Sequence, residues 1–200
     1  MSTLQLDMEK RTYIVHPQKF ALWLFILTVI MIFGGLTSGY IVQRSFVPET
    51  QQIIFDLPVI LWTNLAVILF SSVSMQLSLW FARKEEHKNA SLMLLLTLGL
   101  GVFFLVGQLY AWGDLTDSGL PFVDKRRIDN SVSYFYVFTG LHGLHIVAAL
   151  IVLLVAIFKT TRRSFLPGRR LVTYEMATTF WHFLGVLWVY LFIFLKYTQA

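Results

Sequence analysis

Five long uncharged runs, built mostly from apolar residues, occupy most of this chain of 200 residues. The hydrocarbon core of a bilayer is about 30 Å thick, so an α-helix needs about 20 apolar residues to cross it. Each run has at least that length, and the runs cover residues 20–42, 57–82, 89–113, 130–158 and 176–195. The sequence therefore predicts an all-α fold: a polytopic membrane protein with a five-transmembrane-helix bundle.

The predicted domain organisation is simple because the segments between the runs are short. Residues 1–19 are expected to form a cytoplasmic N-terminal segment, followed by a single transmembrane domain at 20–197. Its composition, 56% hydrophobic and 14% charged, leaves no separate soluble domain. The first run is too long for a secretion signal and lacks an A-x-A cleavage site, so we expect a permanent helix. The helices are predicted at approximately 20–42, 57–82, 90–112, 133–158 and 176–196.

Basic residues are distributed unevenly between the two sides of the predicted bundle. The N-terminal segment and the second and fourth connections hold 11 of the 16 lysines and arginines. Loops rich in these residues stay in the cytoplasm, which predicts that the N-terminus is inside and the C-terminus outside. The net charge of +5 then reflects topology and contact with anionic lipid headgroups, and no nucleic acid partner is expected.

Prolines are expected outside the helix interiors, where they would remove a hydrogen bond and kink the helix. Asp56 and Pro58 are interpreted as the N-cap and a first-turn proline that open the second helix. Many transporters contain broken helices and matched halves, which five unbroken helices fit poorly. The remaining prolines are placed in connections: Pro17, Pro48, Pro121 and Pro167.

Histidine is the main candidate for cofactor chemistry, because the chain contains no cysteine. The lack of thiols excludes disulfides, iron–sulfur clusters and C-x-x-C-H haem attachment. His142, His145 and His182 fall inside predicted helices. His142 and His145 are three residues apart and therefore share one helix face.

Depth in the membrane argues against a metal site formed by all three histidines. His145 is predicted about 20 Å from the inner end of the fourth helix, and His182 about 10 Å from the inner end of the fifth. Ligands of one metal must converge within a few ångströms. One remaining hypothesis is a haem-binding membrane anchor that carries electrons through His142 or His145 with His182. The other is that the imidazoles form hydrogen bonds between helices.

Aromatic and small residues have structural interpretations. Trp181, Trp188 and Tyr190 either pack between helices or anchor the bundle at the membrane interface. Gly35 and Gly39 are spaced to allow close approach of another helix, although this spacing is common. None of these patterns indicates a function by itself.

Several segments, in the expected order, carry a family resemblance. The signature segments are FYVFTGLHGLHIV at 135–147 and EMATTFWHFLGVLWVYLFIFL at 175–195. Supporting segments are DLPVILWTNLAVILFSS, which begins at Asp56, and GQLYAWGDL, which begins at Gly107. From about residue 20 to 197 the chain resembles subunit III of the haem-copper respiratory oxidases, in its five-helix bacterial form.

The resemblance implies a non-catalytic subunit of an aerobic respiratory complex in the bacterial inner membrane. Such a complex reduces oxygen to water and translocates protons, and we expect cytochrome c rather than quinol as its electron donor. The implied partners are the catalytic subunit I and subunit II, with a small subunit IV or another respiratory complex as a further candidate.

Haem and copper are expected in those partner subunits and none in this chain, whereas phospholipids are expected to bind here. No catalytic, cofactor-binding or metal-ligating residue is implied. The structural or lipid-contacting candidates are His142, His145, Glu175, Trp181, His182 and Trp188.

Three departures from the family pattern all remove acids from membrane segments. Relatives often carry a carboxylate near Val29, a glutamate in a Y-E-W segment and an aspartate in W-H-F-x-D-V. Here the corresponding positions are Val29, Ala111 and Gly185. Glu175 matches the family, and an acid at the start of a helix is favourable for the helix dipole. Any lipid or proton role of the missing acids is therefore in doubt for this chain.

Overall fold

The computed structural model describes residues 17–123, 128–161 and 167–199 and consists of a bundle of long helices. Five of them are long and apolar enough to cross a membrane, which confirms the predicted all-α five-helix fold. A short 3-10 helix, Glu49–Gln51, follows the first of them. The five long helices are α1 Pro17–Ser45, α2 Ile60–Arg83, α3 His87–Asp117, α4 Ser131–Thr161 and α5 Pro167–Thr198.

Helices α2 to α5 form a closed ring, and α1 lies outside it. The neighbours around the ring are α2 with α3, α3 with α4, α4 with α5, and α5 with α2. Within the described residues, α1 packs only against α4 and α5, in the groove between them. The ring is therefore the compact part of the molecule, and α1 is its peripheral member.

Two tight helix ends depend on a left-handed backbone conformation. Gly119 has φ +79° just after α3, and the Leu120 N–H donates to the Leu115 carbonyl in a helix-terminating bond. Glu85 has φ 62° in the three-residue turn between α2 and α3, where the Glu86 N–H donates to the Phe81 carbonyl. This turn makes α2 and α3 an antiparallel pair.

Polar side chains join the helices inside the apolar core. Ser74 Oγ of α2 lies 2.7 Å from Thr97 Oγ1 of α3.

The predicted small-residue pair of α1 has one close neighbour on another helix. A Cβ atom added to Gly39 would lie 3.6 Å from the Tyr134 hydroxyl, whereas one added to Gly35 would have no neighbour within 4 Å. The pair therefore contacts another helix through one glycine.

A network of hydrogen bonds, here called the Asp129 latch, ties the connections together at the end of the bundle where α4 begins. The Asp129 carboxylate is buried and accepts the backbone N–H of Ile53 at 2.6 Å and that of Ser131 at 2.9 Å. Ser131 Oγ lies 3.4 Å from the Tyr40 hydroxyl, to which Arg44 donates at 2.7 Å. The latch connects α1, the segment before α2 and the start of α4.

The structure corrects the predicted start of α2. Pro58 precedes the helix, and Val59 is the N-cap, without a side-chain capping bond. The residue before a proline disfavours helical backbone, and Ile53 is held by Asp129, so residues 52–58 remain irregular. Asp56 is therefore not the N-cap.

The first and last long helices begin earlier than predicted. Pro17 and Pro167 are first residues of α1 and α5 and do not lie in connections. A proline is favoured at this position because its missing N–H has no helical partner there anyway. Positions 1–16 of the predicted N-terminal segment lie outside the described residues. The basic residues at 125–127, 162 and 163 also lie outside them.

Candidate functional site

A cavity of about 370 Å³ opens among α1, α2 and α5 near the first residues of α1 and α5. We call it the Glu175 pocket. Its apolar wall includes Leu22, Trp23 and Leu79, and Trp23 is largely exposed beside it. Its polar lining comes from all three helices and consists of Lys19, Gln76, Arg83, Glu175, Thr178, Thr179 and His182.

Glu175 is the centre of an ion-pair network in this pocket. Its carboxylate accepts hydrogen bonds from Lys19 Nζ at 2.7 Å and from Arg83 Nη2 at 3.4 Å. The three side chains are partly accessible, with relative exposures of 26% for Glu175, 39% for Lys19 and 55% for Arg83. Two cations face one carboxylate, so the network carries a net positive charge.

Uncharged polar groups line the rest of the polar side of the pocket. His182 Nε2 lies 3.2 Å from Gln76 Oε1, which joins α5 to α2. The Thr178 hydroxyl is buried and has no hydrogen-bond partner among the described residues. A buried hydroxyl without a partner is costly, so this group is available to a polar occupant of the pocket.

The other two histidines of the helices lie elsewhere in the bundle. His142 is completely buried and stacks on Trp188, with 5.0 Å between ring centroids. His145 lies beside Phe25 and Phe33 of α1, and its Nδ1 is 2.7 Å from the Leu141 carbonyl of its own helix. In the described part of the chain, the interhelical bond predicted for the histidines is present only for His182.

The predicted difference in depth between His145 and His182 is wrong. Helix α5 begins at Pro167, nine residues before the predicted start, and α4 continues to Thr161. His145 is therefore 16 residues from the end of α4, and His182 is 15 residues from the start of α5. Direction separates them instead, because His145 faces α1 and His182 faces α2.

Trp181 has a packing role. Its Nε1 donates to Ser71 Oγ of α2 at 3.0 Å, and both residues are buried. A Cβ atom added to Gly101 of α3 would lie 2.7 Å from the indole ring. Trp181 therefore fills the space where α2, α3 and α5 meet and is not an anchor at the membrane surface.

The positions of the missing family acids are enclosed by protein. Val29 and Ala111 are buried, with 1% and 0% of their surfaces exposed. A Cβ added to Gly185 would lie 3.2 Å from Ser72 Oγ. The local packing suits the small or apolar residues that this chain carries there.

The comparison with protein families identifies the chain. The family model described as Cytochrome c oxidase subunit III matches residues 9–199 of the chain. The chain belongs to the cytochrome c oxidase subunit III family. It is thus a non-catalytic subunit III of a terminal oxidase and a member of a complex with other subunits, and the haem-carrying anchor is not favoured.

Individual relatives of this subunit III chain include proteins of both oxidase types. A probable cytochrome c oxidase subunit 3 of Rickettsia bellii is 29% identical over 195 residues, which covers 90% of this chain and 68% of the relative. The cytochrome c oxidase subunit 3 of a Synechocystis species is 29% identical over 185 residues, 89% and 75% of the two chains. A probable quinol oxidase subunit 3 of Staphylococcus aureus is 25% identical over 187 residues, 92% and 90% of the two chains. The chain spans about two thirds of the length of its Rickettsia relatives.

Only part of the Glu175 pocket is predicted from the sequence. Glu175 and His182 were among the predicted residues, and the structure brings them to one cavity. Lys19 and Arg83 enter the sequence predictions only as basic residues that indicate orientation, and Gln76 is not among the predicted residues. An amide inside an apolar run is a signal that could have identified Gln76, because such groups seek partners on other helices.

Proposed function

We propose that this subunit III chain stabilises the catalytic subunit I of a bacterial haem-copper oxidase and holds phospholipid in the Glu175 pocket. Subunit II and a small subunit IV or another respiratory complex are the further proposed partners. Haem and copper belong to the partner subunits, and this chain carries neither. The proposed location is the bacterial inner membrane.

The charge arrangement of the Glu175 pocket is the observation that supports lipid binding. Lys19 and Arg83 can bind the same phosphate group, because both direct hydrogen-bond donors at the same carboxylate, that of Glu175. Glu175 and the Gln76 carbonyl suit the protonated amine of a zwitterionic headgroup. The exposed apolar side of α1, which includes Phe20 and Trp23, provides a surface for the acyl chains.

The proposed orientation places this pocket in the cytoplasmic leaflet. Arg83, Lys84 and Lys88 lie in or beside the turn between α2 and α3, and Lys19 is near the start of α1. Positive residues are retained on the cytoplasmic side and attract anionic lipid there. Four basic residues at this end therefore favour an N-terminus inside.

The proposed electron donor of the complex is cytochrome c. The family description and two of the three relatives described above carry that name, whereas the Staphylococcus aureus protein is named a quinol oxidase. Oxygen consumption by the purified complex with reduced cytochrome c, compared with a quinol, tests this part. Turnover with quinol alone would contradict it.

The lipid proposal is tested by removing pocket cations from the assembled oxidase. The Lys19→Gln and Arg83→Gln double variant should retain fewer phospholipids in native mass spectrometry and lose activity sooner during turnover. Lys84→Gln is the matched control, since Lys84 also carries a positive charge but lies 3.6 Å above the Trp80 ring, outside the pocket. Unchanged lipid content and lifetime in the double variant would contradict the proposal.

A further inference from the structure

Besides Thr178, which lines the Glu175 pocket, the ring of helices contains four buried polar side chains that have no partner in the described part of the protein. Each ring helix contributes one of them, and none exposes more than 3% of its surface. Together they leave seven nitrogen and oxygen atoms without a hydrogen bond. We call this set the polar layer, and it consists of Asn64 of α2, Gln108 of α3, His142 of α4 and Trp188 of α5.

Contacts between neighbouring helices place the four residues at one level. On α3, the Gly107 Cα is so close to Asn64 that an added Cβ would overlap the Asn64 carboxamide. Antiparallel packing of α3 and α4 brings Trp112 to Thr139 and Leu105 to Gly143, so Gln108 and His142 lie between these two contacts.

Trp188 of α5 lies at the same level as the other three residues. His142 and Trp188 stack with an interplanar angle of 29°. The Phe104 ring contacts both of them edge-on, at centroid distances of 5.7 Å and 4.9 Å. Phe104 is one helical turn from Gln108, and its ring therefore closes one side of the polar layer.

Leaving these groups without partners is energetically unfavourable. A buried donor or acceptor without a hydrogen bond carries the full penalty of its lost hydration. The cost is higher inside a membrane bundle than near its surface, because bulk water cannot reach these groups. The four side chains therefore require either a bound molecule that forms hydrogen bonds with them or hydrogen bonds among themselves.

The chemistry of the layer selects a small neutral occupant. The two carboxamides each offer donors and an acceptor, neutral imidazole offers one of each, and the indole only donates. The charged residue nearest to any of the four along its own helix is Asp114, six positions from Gln108, which corresponds to about 9 Å of helix rise. An ion would therefore lack a counter-charge, whereas water both donates and accepts.

We propose that the polar layer is an internal water-binding site. Bound water connects side chains from at least two of the four ring helices and replaces the direct hydrogen bonds that they do not form. Buried waters of this type make about three hydrogen bonds each and belong to the native structure. The site is independent of the Glu175 pocket and of the lipid proposal.

Radiolytic hydroxyl-radical labelling of the intact oxidase tests the site, because radicals formed from bound water oxidise the side chains beside it. Trp188 and Trp181 form a matched pair, since each is only 1% exposed and Trp181 Nε1 is bonded to Ser71. We expect Trp188 to be oxidised at least several-fold faster than Trp181. Equal protection of the two indoles would overturn the proposal.

Substitutions then assign the effect to the polar layer. The Asn64→Leu and Gln108→Met variants should reduce oxidation of Trp188 to the rate of Trp181. A high-resolution density map of the wild-type complex provides a second measurement that does not depend on these variants folding. Density for water within about 3.2 Å of at least two of the four side chains is expected. Direct bonding among the side chains, without such density, would contradict the proposal.

Discussion

The Glu175 carboxylate is stabilised at the edge of the apolar bundle because cations from two other helices contact it. Its partners Lys19 and Arg83 are 156 and 92 positions away in the sequence. Partly exposed pairs of this kind contribute about 0–1 kcal/mol each, so their main effect is to fix the position of charge. The carboxylate thereby sets which donors face the Glu175 pocket.

Gly101 of α3 packs against side chains of α4 and α5. An alanine there should destabilise the subunit by about 1–3 kcal/mol, because its Cβ would lie 2.7 Å from both Leu150 and Trp181. Gly99→Ala is the control, since no atom lies within 4 Å of its added Cβ and alanine is the better helix former. The measurement is the temperature at which subunit III leaves the purified oxidase. A lower temperature for both variants, or for neither, would contradict the packing argument.

Single residues also show the limit of reasoning from sequence. Glu175 could be selected because it matches the family segment, but the prediction that it lies at a helix start is wrong, since α5 begins eight residues earlier at Pro167. Asn64 and Gln108 were not selected, although their amides interrupt apolar runs. Their common level depends on how far each helix slides along its neighbour, and local sequence does not contain that information.

Helices were the most predictable elements of this molecule. The five apolar runs specified their number, because crossing a bilayer requires a minimum apolar length. Their ends were less predictable, since helical hydrogen bonding continues beyond the apolar part of α4 and α5. Because α5 begins earlier than predicted, His182 lies at about the same depth as His145, contrary to the prediction from sequence.

The orientation of the helices is testable because the natural chain contains no cysteine. Single cysteines at Ser91, near the start of α3, and at Ser118, just beyond its end, should react with an impermeant thiol reagent from opposite sides. Ser118 is expected to react from outside, since α3 then runs outward from the cytoplasm. The unsubstituted chain provides a blank without thiols. Labelling of both positions from one side would contradict the five-helix topology.

The whole molecule presents few groups suited to collecting protons. Proton exchange near neutral pH favours clustered carboxylates and histidines. In the described residues at the Lys19 end, Glu175 is paired with two cations, and Glu86 accepts a hydrogen bond from Asn89. The exposed Glu85 and His87 lie in sequence among the basic residues Arg83, Lys84 and Lys88. The family acids of the membrane segments are replaced by Val29, Ala111 and Gly185. This inventory favours stabilisation over proton supply.

Removal of the subunit from the oxidase should therefore shorten the working lifetime more than it lowers the initial rate. Lost packing and lost lipid act cumulatively on subunit I during turnover, whereas a missing proton supply acts immediately. Oxygen consumption of the depleted enzyme, followed from the first turnovers, measures both quantities. Enzyme taken through the same detergent steps without depletion is the control. An immediate large fall in rate at high pH, with normal lifetime, would contradict this expectation.

The peripheral position of α1 determines the order in which the chain can be assembled. Synthesis proceeds from the N-terminus, so α1 enters the membrane before the other four helices, whereas α4 and α5, which form its groove, enter after α2 and α3. Until then the Thr37 hydroxyl lacks the Tyr190 hydroxyl that bonds it in the finished bundle. α1 consequently cannot complete its packing until α5 has been synthesised.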